Sequence, residues 1–384
     1  MTIKHIIIKN YKSLESLDLQ LNPLMVFVGP NNAGKSNIFD CFSFLSSLVK
    51  TGADAAQERG GFEQIVFNGD ITRKISIELQ GSIKVGDKEQ FYRYFIEFEA
   101  ERWGVRCLNK KEVLSLITKK GEQKLLEFPS EKDMAIAWDE TGKQTGSIGA
   151  ERDRSYLYRF SDQDHYPILG HFSNEVQNWR LFNFLPPLMR SRLPVRREFQ
   201  VQFLGENLPV VLHTLQTEYP QKFKEIEDIL KTAIPELEEL TTGLTTHEQG
   251  RTYTRIQEKG LKIPIPAEAM SDGSLRLLGY LATLCLPTPP PLICFEEPEN
   301  YVHPRLLELI ANLLDNASEK TQVLVSTHSP YLVDFFEPRD LIIVKKENGR
   351  TQVKRAVDKK GIKEALKTLG LGEMWYSGSF EDLP

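Results

Sequence analysis

The 384-residue chain, with 40% hydrophobic, 26% charged and 10% aromatic residues, has ordinary globular composition, which excludes a disordered or collagen-like polymer. At roughly 100–200 residues per domain it has room for two or three packed units. Its 48 Lys+Arg against 53 Asp+Glu leave a net charge of −5, so the chain as a whole is no polycation and any basic, nucleic-acid-binding surface has to be local.

Short alternating runs at 3–8 and 17–21 predict two strands, and the continuously apolar 24–28 predicts a third, buried on both faces of a sheet. That run ends in Gly29-Pro30-Asn31-Asn32-Ala33-Gly34-Lys35-Ser36, after which Ile38, Phe42, Leu45 and Val49 recur at helical spacing. Stretches 71–79, 91–98 and 113–117, separated by turns at Gly81, Gly86 and Gly121, predict antiparallel strands of a first lobe. Residues 161–265 change character: Arg190, Arg192, Arg196 and Arg197 cluster near Pro186-Pro187, and 223–240 reads as an amphipathic helix, so a mainly helical insertion is expected. After the stiff Pro287-Thr288-Pro289-Pro290-Pro291 link, buried strands return at 292–295, 323–326 and 341–344, alternating with helices at 274–284 and 304–314. The expected fold class is α/β, divided as 1–160, 161–265 and 266–384. Cys41, Cys107, Cys285 and Cys294 are scattered with no CxxC pair, and read as buried thiols of a reducing compartment. With no secretory segment and no run of ~18 apolar residues, the expectation is a cytoplasmic protein without membrane association.

Four segments carry chemistry. The first, Gly29 through Ser36, fits GxxxxGK[ST] in the strand-before, helix-after context that phosphate binding requires. Gly29, Asn31, Asn32, Ala33 and Gly34 supply inward-turning N–H groups, Pro30 between them shapes the turn without donating, and the helix start adds a positive dipole. Lys35 neutralises β- and γ-phosphate oxygens, and Ser36, followed by Asn37, offers a hydroxyl to Mg2+. The bland alternative is a Gly/Asn-rich turn. The second segment is the strand 292–295, which delivers Glu296 and Glu297 to its C-terminal end, where acids project into a ligand crevice. There Glu296 suits Mg2+ held through water and Glu297 suits orienting and deprotonating an attacking water; solvated charge is the alternative. In the third, 323–327 delivers His328, whose neutral imidazole suits sensing a γ-phosphate or holding that water. In the fourth, Ser271, Asp272 and Gly273 precede an apolar helix, as an N-cap or as a second anion site.

Taken in order, GPNNAGKS, SDGS, ICFEEPEN and STHSP resemble the motifs of an ABC-type P-loop ATPase head, in the SMC, RecF and OLD-like branch of prokaryotic ATPases. The opening IKNYKSLESLDLQL and the ending LGLGEMWYSG are similar to that branch as well, whereas residues 70–265 add little. The resemblance implies an α/β head with an antiparallel β subdomain, ATP and Mg2+ as ligands, and a head-to-tail homodimer with two ATP molecules at its interface. Each phosphate loop would be completed by the partner's Ser271, Asp272 and Gly273, with 300–303 as the D-loop and Gln64 as a Q-loop glutamine reaching the metal. Glu296 stands where the family usually has Asp, and Asp272 and Ser274 replace the Gly and Gln of LSGGQ. An acid beside a γ-phosphate is repulsive unless it points away, so slow hydrolysis is expected. No long heptads occur, so the extended coiled coil of SMC proteins is not expected.

Three readings follow. In the first, an ATPase switch controls a separate nuclease or toxin effector in DNA repair or phage defence, since the residues beyond 341 are too few for an appended catalytic domain. In the second, a DNA-binding structural clamp turns over little ATP. Its support is the arginine cluster and the segment 341–370, which carries nine Lys/Arg (345, 346, 350, 354, 355, 359, 360, 363 and 367) against Glu347, Asp358 and Glu364. A solvated face is the favoured reading of either patch, since the net charge is negative. The third, a transporter's nucleotide-binding subunit, fits the motifs but less well the opening and the insertion.

Overall fold

The computed structural model describes residues 1–52, 54–101, 104, 106–129, 133–246, 250–358 and 369–378. Two compact units interleave along the chain. Met1–Trp179, Pro290–Leu292 and Arg339–Asp358 form the first, while Arg180–Pro289, Ile293–Pro338 and the described part of Lys359–Pro384 form the second. This replaces the three consecutive blocks expected from the sequence, and residues 161–265 are shared between both units.

The first unit opens with β1 (Thr2–Tyr11), β2 (Leu14–Gln20), β3 (Leu24–Val28), α1 (Lys35–Thr51), α2 (Asp54–Gln57) and α3 (Phe62–Ile65). It continues with β4 (Ile75–Val85), β5 (Lys88–Ala100), β6 (Cys107–Thr118), β7 (Gly121–Phe128), β8 (Met134–Trp138), β9 (Gln144–Gly149), α4 (Tyr156–Arg159) and α5 (Pro167–Gln177). Eight of these strands make an antiparallel sheet in the order β2-β1-β4-β5-β6-β7-β8-β9. Gly86 sits in the β4–β5 hairpin turn at φ 59°, as its sequence context predicts, while Gly121 opens β7 at φ 115° directly after the β6–β7 turn. Gly81 is in no turn: it lies within β4 opposite Ile3, where a Cβ would stand 2.0 Å from the Thr2 carbonyl oxygen. That glycine serves close strand approach at the irregularity in β1, not a turn.

α1 buries Ile38, Phe39, Phe42, Leu45, Leu48 and Val49, each side chain contributing about 1.5–3 kcal/mol of transfer free energy. The helix stops where Gly52 adopts φ 72°.

The second unit contains β10 (Arg180–Phe182), α6 (Pro186–Met189), α7 (Leu208–Glu218), α8 (Pro220–Ala233), β11 (Leu237–Leu244), β12 (Thr252–Glu258) and β13 (Ile265–Pro266). It goes on through α9 (Asp272–Leu284), β14 (Leu292–Glu296), α10 (Leu307–Ser318), β15 (Gln322–Thr327) and α11 (Pro330–Val333). The insertion is therefore mixed, because β11, β12 and β13 form a three-stranded antiparallel sheet beside its helices. The helix expected over 223–240 ends at Ala233: Ile234 is extended (φ −127°, ψ 88°) ahead of Pro235, as a residue preceding proline prefers. β10 pairs in parallel with β14, and β14 neighbours β15. Tyr280 of α9 stands edge-on to Phe295 at 5.2 Å, and Phe182 stacks on Phe295 at 5.4 Å, so β14 rests on an aromatic bed.

The chain then returns to the first unit. β16 (Leu341–Glu347) pairs in parallel with β3 and turns into β17 (Arg350–Arg355) through Asn348 and Gly349, both at positive φ as a two-residue hairpin requires. A last helix, α12 (Leu371–Tyr376), packs in the second unit: Gly372 N–H donates to Asp334 Oδ1 at 2.7 Å, and a Cβ on Gly372 would stand 1.9 Å from the Pro330 carbonyl oxygen. All four cysteines are buried free thiols. No described helix is long and apolar enough to cross a membrane.

Candidate nucleotide site

In the first unit, all-buried β3 leads into the glycine loop, and α1 begins at Lys35 with Gly34 in the left-handed region (φ 104°) and no side-chain cap. The first turn of an uncapped helix leaves its N–H donors without intrahelical acceptors, which is what a bound phosphate satisfies. Lys35 is buried and folds back over the loop, donating from Nζ to the Gly29 and Pro30 carbonyls at 2.9 and 3.1 Å. Pro30, Asn31, Asn32 and Ser36 are exposed, Ala33 is buried and Asn37 is half-buried.

Both motif glycines have a packing cause as well as a conformational one. A Cβ on Gly29 would stand 2.2 Å from the Val344 carbonyl oxygen of β16, and one on Gly34 would stand 1.9 Å from Thr351 Oγ1 of β17. Thr351 Oγ1 also donates to the Ala33 carbonyl at 2.9 Å and lies 2.7 Å from Ser13 Oγ. Asn37 Nδ2 donates to that same Ser13 oxygen at 2.6 Å. Ser13, Asn37 and Thr351 thus clamp the loop from outside. The sequence gives no local sign of Ser13 or Thr351, which lie 338 positions apart.

Behind the loop, Asp40 of α1 pairs with Lys12 at 2.5 Å and Arg59 at 2.9 Å, and accepts from Tyr11 Oη at 2.6 Å. Burial pushes its carboxyl up, but the two cations outweigh that and hold it below the usual carboxylate range. Gln64 is exposed on α3, a four-residue helix that follows this network in sequence.

In the second unit, Glu296 ends β14 and accepts from Asn183 Nδ2 at 3.2 Å. Glu297 follows at φ 47°, a left-handed conformation that costs a non-glycine residue about 1–3 kcal/mol. Its N–H donates to the Ser326 carbonyl of β15 at 2.9 Å. Its carboxylate stands 3.2 Å from His328 Nε2 through Oε1, and accepts from Asn300 Nδ2 at 2.7 Å through Oε2. The two strand-end groups that the sequence singled out separately, Glu297 and His328, are therefore brought together. Buried Arg276 of α9 donates to the Glu297 carbonyl at 2.9 Å, to the Phe184 carbonyl at 2.8 Å and to Tyr280 Oη. The helix after the serine loop is thereby tied to the Glu297 turn.

Ser271 caps α9, its Oγ accepting from Ser274 N–H at 3.1 Å, so the N-cap role is realised while the residue stays exposed. Gly273 permits close approach to the turn at 300–303: a Cβ there would stand 2.6 Å from the Tyr301 carbonyl oxygen. Asp272 accepts from Arg190 Nη2 at 2.6 Å, and the same nitrogen donates to the Met270 carbonyl. Its charge is thus paired. Arg192, Arg196 and Arg197 pair with Glu268, Glu198 and Glu218 respectively, so every arginine of the expected basic cluster has a carboxylate partner. In the second basic segment, Arg350 pairs with Glu15. Lys359, Lys360, Lys363, Glu364 and Lys367 lie outside the described residues.

The residues suit the expected ligands. Gly34 and the uncapped α1 fit a triphosphate, and the Ser36 hydroxyl, the Glu296 carboxylate and the Gln64 amide are oxygen donors of the kind Mg2+ takes. Among the described residues no group of three or more His, Cys, Asp or Glu forms a metal cluster of its own.

The OLD nuclease of Thermus scotoductus is 24% identical over 387 aligned residues, covering 90% of this chain and 62% of that nuclease, so the chain spans less than two thirds of that relative. The DNA replication and repair protein RecF of Corynebacterium jeikeium is 37% identical over 92 residues, 21% of this chain and 22% of RecF. Among solved structures, an Smc head bound to the C-terminal winged-helix domain of ScpA shares the fold, with TM-score 0.57 at 13% identity over 96% of this chain and 100% of that one. The fold is accordingly that of an ABC-type head. Residues 24–334 match the family described as "AAA domain, putative AbiEii toxin, Type IV TA system", and the chain belongs to that family, within the SMC, RecF and OLD-like ATPases.

Proposed function

We propose that this chain is an ATP-hydrolysing switch whose output is a change of self-association. The observation that carries the reading is the Glu297–His328 contact of 3.2 Å, made with Glu297 in a left-handed turn. A carboxylate at a strand end with an imidazole beside it suits general-base activation of a water, with His328 fixing the water or the γ-phosphate. Lys35, released from the Gly29 and Pro30 carbonyls, turns to the triphosphate, and the N–H groups of 29–36 surround it. Ser36, Glu296 and Gln64 are the residues that would hold Mg2+, which would supply neutralisation of the triphosphate's charge.

In this reading the serine loop, Ser271, Asp272 and Gly273, meets the triphosphate of a second copy in a head-to-tail dimer. Two observations support it: the exposed Ser271 hydroxyl at a helix start, and the Arg190 pairing that removes the charge objection to Asp272. The likeness to an OLD nuclease and to the DNA replication and repair protein RecF supports a role beside DNA. In this reading the role is exercised in repair or phage defence through a separate effector protein in the cytoplasm. A DNA clamp with little turnover is less supported, because the arginines of the 190–197 cluster are engaged in ion pairs.

The test is Glu297→Gln. ATP binding is expected to persist while turnover falls by about 10²-fold or more, and ATP is expected to convert the variant to dimers by light scattering. Normal turnover would reassign the base, and an unchanged mass with ATP bound would remove the dimer.

A further inference from the structure

Glu299 has no assigned part in the chemistry, yet it is built into the same turn. Its Oε1 accepts from three donors on consecutive residues of the other strand end: Thr327 Oγ1 at 2.7 Å, His328 N–H at 2.8 Å and Ser329 N–H at 3.2 Å. Ser329 N–H is shared with Thr327 Oγ1 at 3.0 Å, and Ser329 Oγ caps α11 by accepting from Leu332 N–H at 3.2 Å. One oxygen of Glu299 therefore fixes the backbone on both sides of the imidazole that touches Glu297. The other oxygen, Oε2, is buried with no hydrogen-bond partner.

From this geometry we infer that Glu299 is the positioning residue of the site, holding the 327–329 turn so that the His328 ring meets Glu297. The inference rests on the ATP-hydrolysing reading above. A side chain that only filled space would not gather three donors on one oxygen while leaving its second oxygen unsatisfied, an arrangement that costs stability. Burial also pushes the Glu299 carboxyl above the usual carboxylate range, against the opposing pull of the Thr327 and His328 donors. A neutral acid, or an amide in its place, keeps the accepting oxygen without stranding a charge.

The experiment compares Glu299→Ala, Glu299→Asp and Glu299→Gln in the full chain. Glu299→Ala is expected to lower kcat about 10- to 100-fold with KM for ATP nearly unchanged, as a misplaced reacting group does. Glu299→Gln, whose amide oxygen still accepts, is expected to stay within about threefold of the parent, and Glu299→Asp, one methylene short of all three donors, to resemble the alanine variant. The ring-nitrogen NMR signals of His328 are expected to move in the Ala and Asp variants and to hold in Gln. The inference is overturned by parental kcat in Glu299→Ala, by a loss confined to KM, or by equal damage in Gln and Ala; if the alanine variant does not fold, the Gln and Asp pair decides. Were the parent itself unable to hydrolyse ATP, the proposed function would fail, while the His328 signals would still decide whether Glu299 positions the ring.

Discussion

Gly34 and Thr351 face each other so closely that a single added Cβ would stand 1.9 Å from the threonine oxygen. The contact joins the start of α1 to the outer strand of the β16–β17 hairpin, and it explains the second motif glycine beyond its φ of 104°. Phosphate-loop shape is thus set partly from outside the loop.

Gly34→Ala is accordingly expected to destabilise the protein by about 1–3 kcal/mol in urea unfolding, from the clash and the positive φ together. Adding Thr351→Ala relieves the clash but not the backbone cost. A coupling of at least about 0.5 kcal/mol between the two changes is the expected result, and strict additivity would show that Thr351 is not the neighbour that matters.

What could be read from the sequence, and what could not, divides by range. The loop 29–36, the acids after 292–295, His328 and the serine loop were legible because each lies where a strand or helix ends, and strand ends are where such side chains reach ligand. Ser13, Thr351, Arg276 and Glu299 were not, because each acts on a partner brought close only by the fold: Arg276 reaches Phe184 across 92 positions and Glu299 reaches Ser329 across 30. The overlong helix at 223–240 had a local warning in Pro235, outweighed by the apolar spacing before it. Gly81 had none, since a turn glycine and a strand glycine under a crossing carbonyl have the same one-letter context.

Asp40 supplies a prediction in pH. Its folded-state pKa lies below the ordinary value of 3.8 because Arg59 and Lys12 outweigh the effect of burial. Its contribution to stability is therefore fully present above pH 3.8 and is lost as pH falls through the lowered value. Asp40→Asn is expected to cost about 1–3 kcal/mol at pH 7, with the two proteins converging as pH falls from 3.8 through the lowered value in melts taken across that range. A constant difference at every pH would assign the cost to packing instead of charge.

Lys35 tests the cradle itself. Its ammonium now sits on the Gly29 and Pro30 carbonyls, so the exchange to a triphosphate swaps neutral acceptors for charged ones. Lys35→Ala is expected to weaken ATP binding at least about tenfold, roughly 1.4 kcal/mol, by calorimetry. Parental affinity would mean that another cation serves the phosphates.

The Arg190–Asp272 pair tests the second copy. In a monomeric site the pair only steadies the start of α9, and losing Arg190 would leave association untouched. In a head-to-tail dimer, Asp272 without Arg190 confronts a triphosphate with an unpaired carboxylate, and like charges in a closed interface repel. Measured by sedimentation in the Glu297→Gln background, Arg190→Ala is therefore expected to weaken ATP-driven dimerisation about tenfold. Adding Asp272→Asn removes the uncompensated charge and is expected to restore it. If the doubly changed protein stayed as weak as Arg190→Ala alone, the guanidinium would be acting on something other than Asp272. If neither change altered dimerisation, the serine loop would not face a nucleotide at all, and the N-cap made by Ser271 would be its whole role.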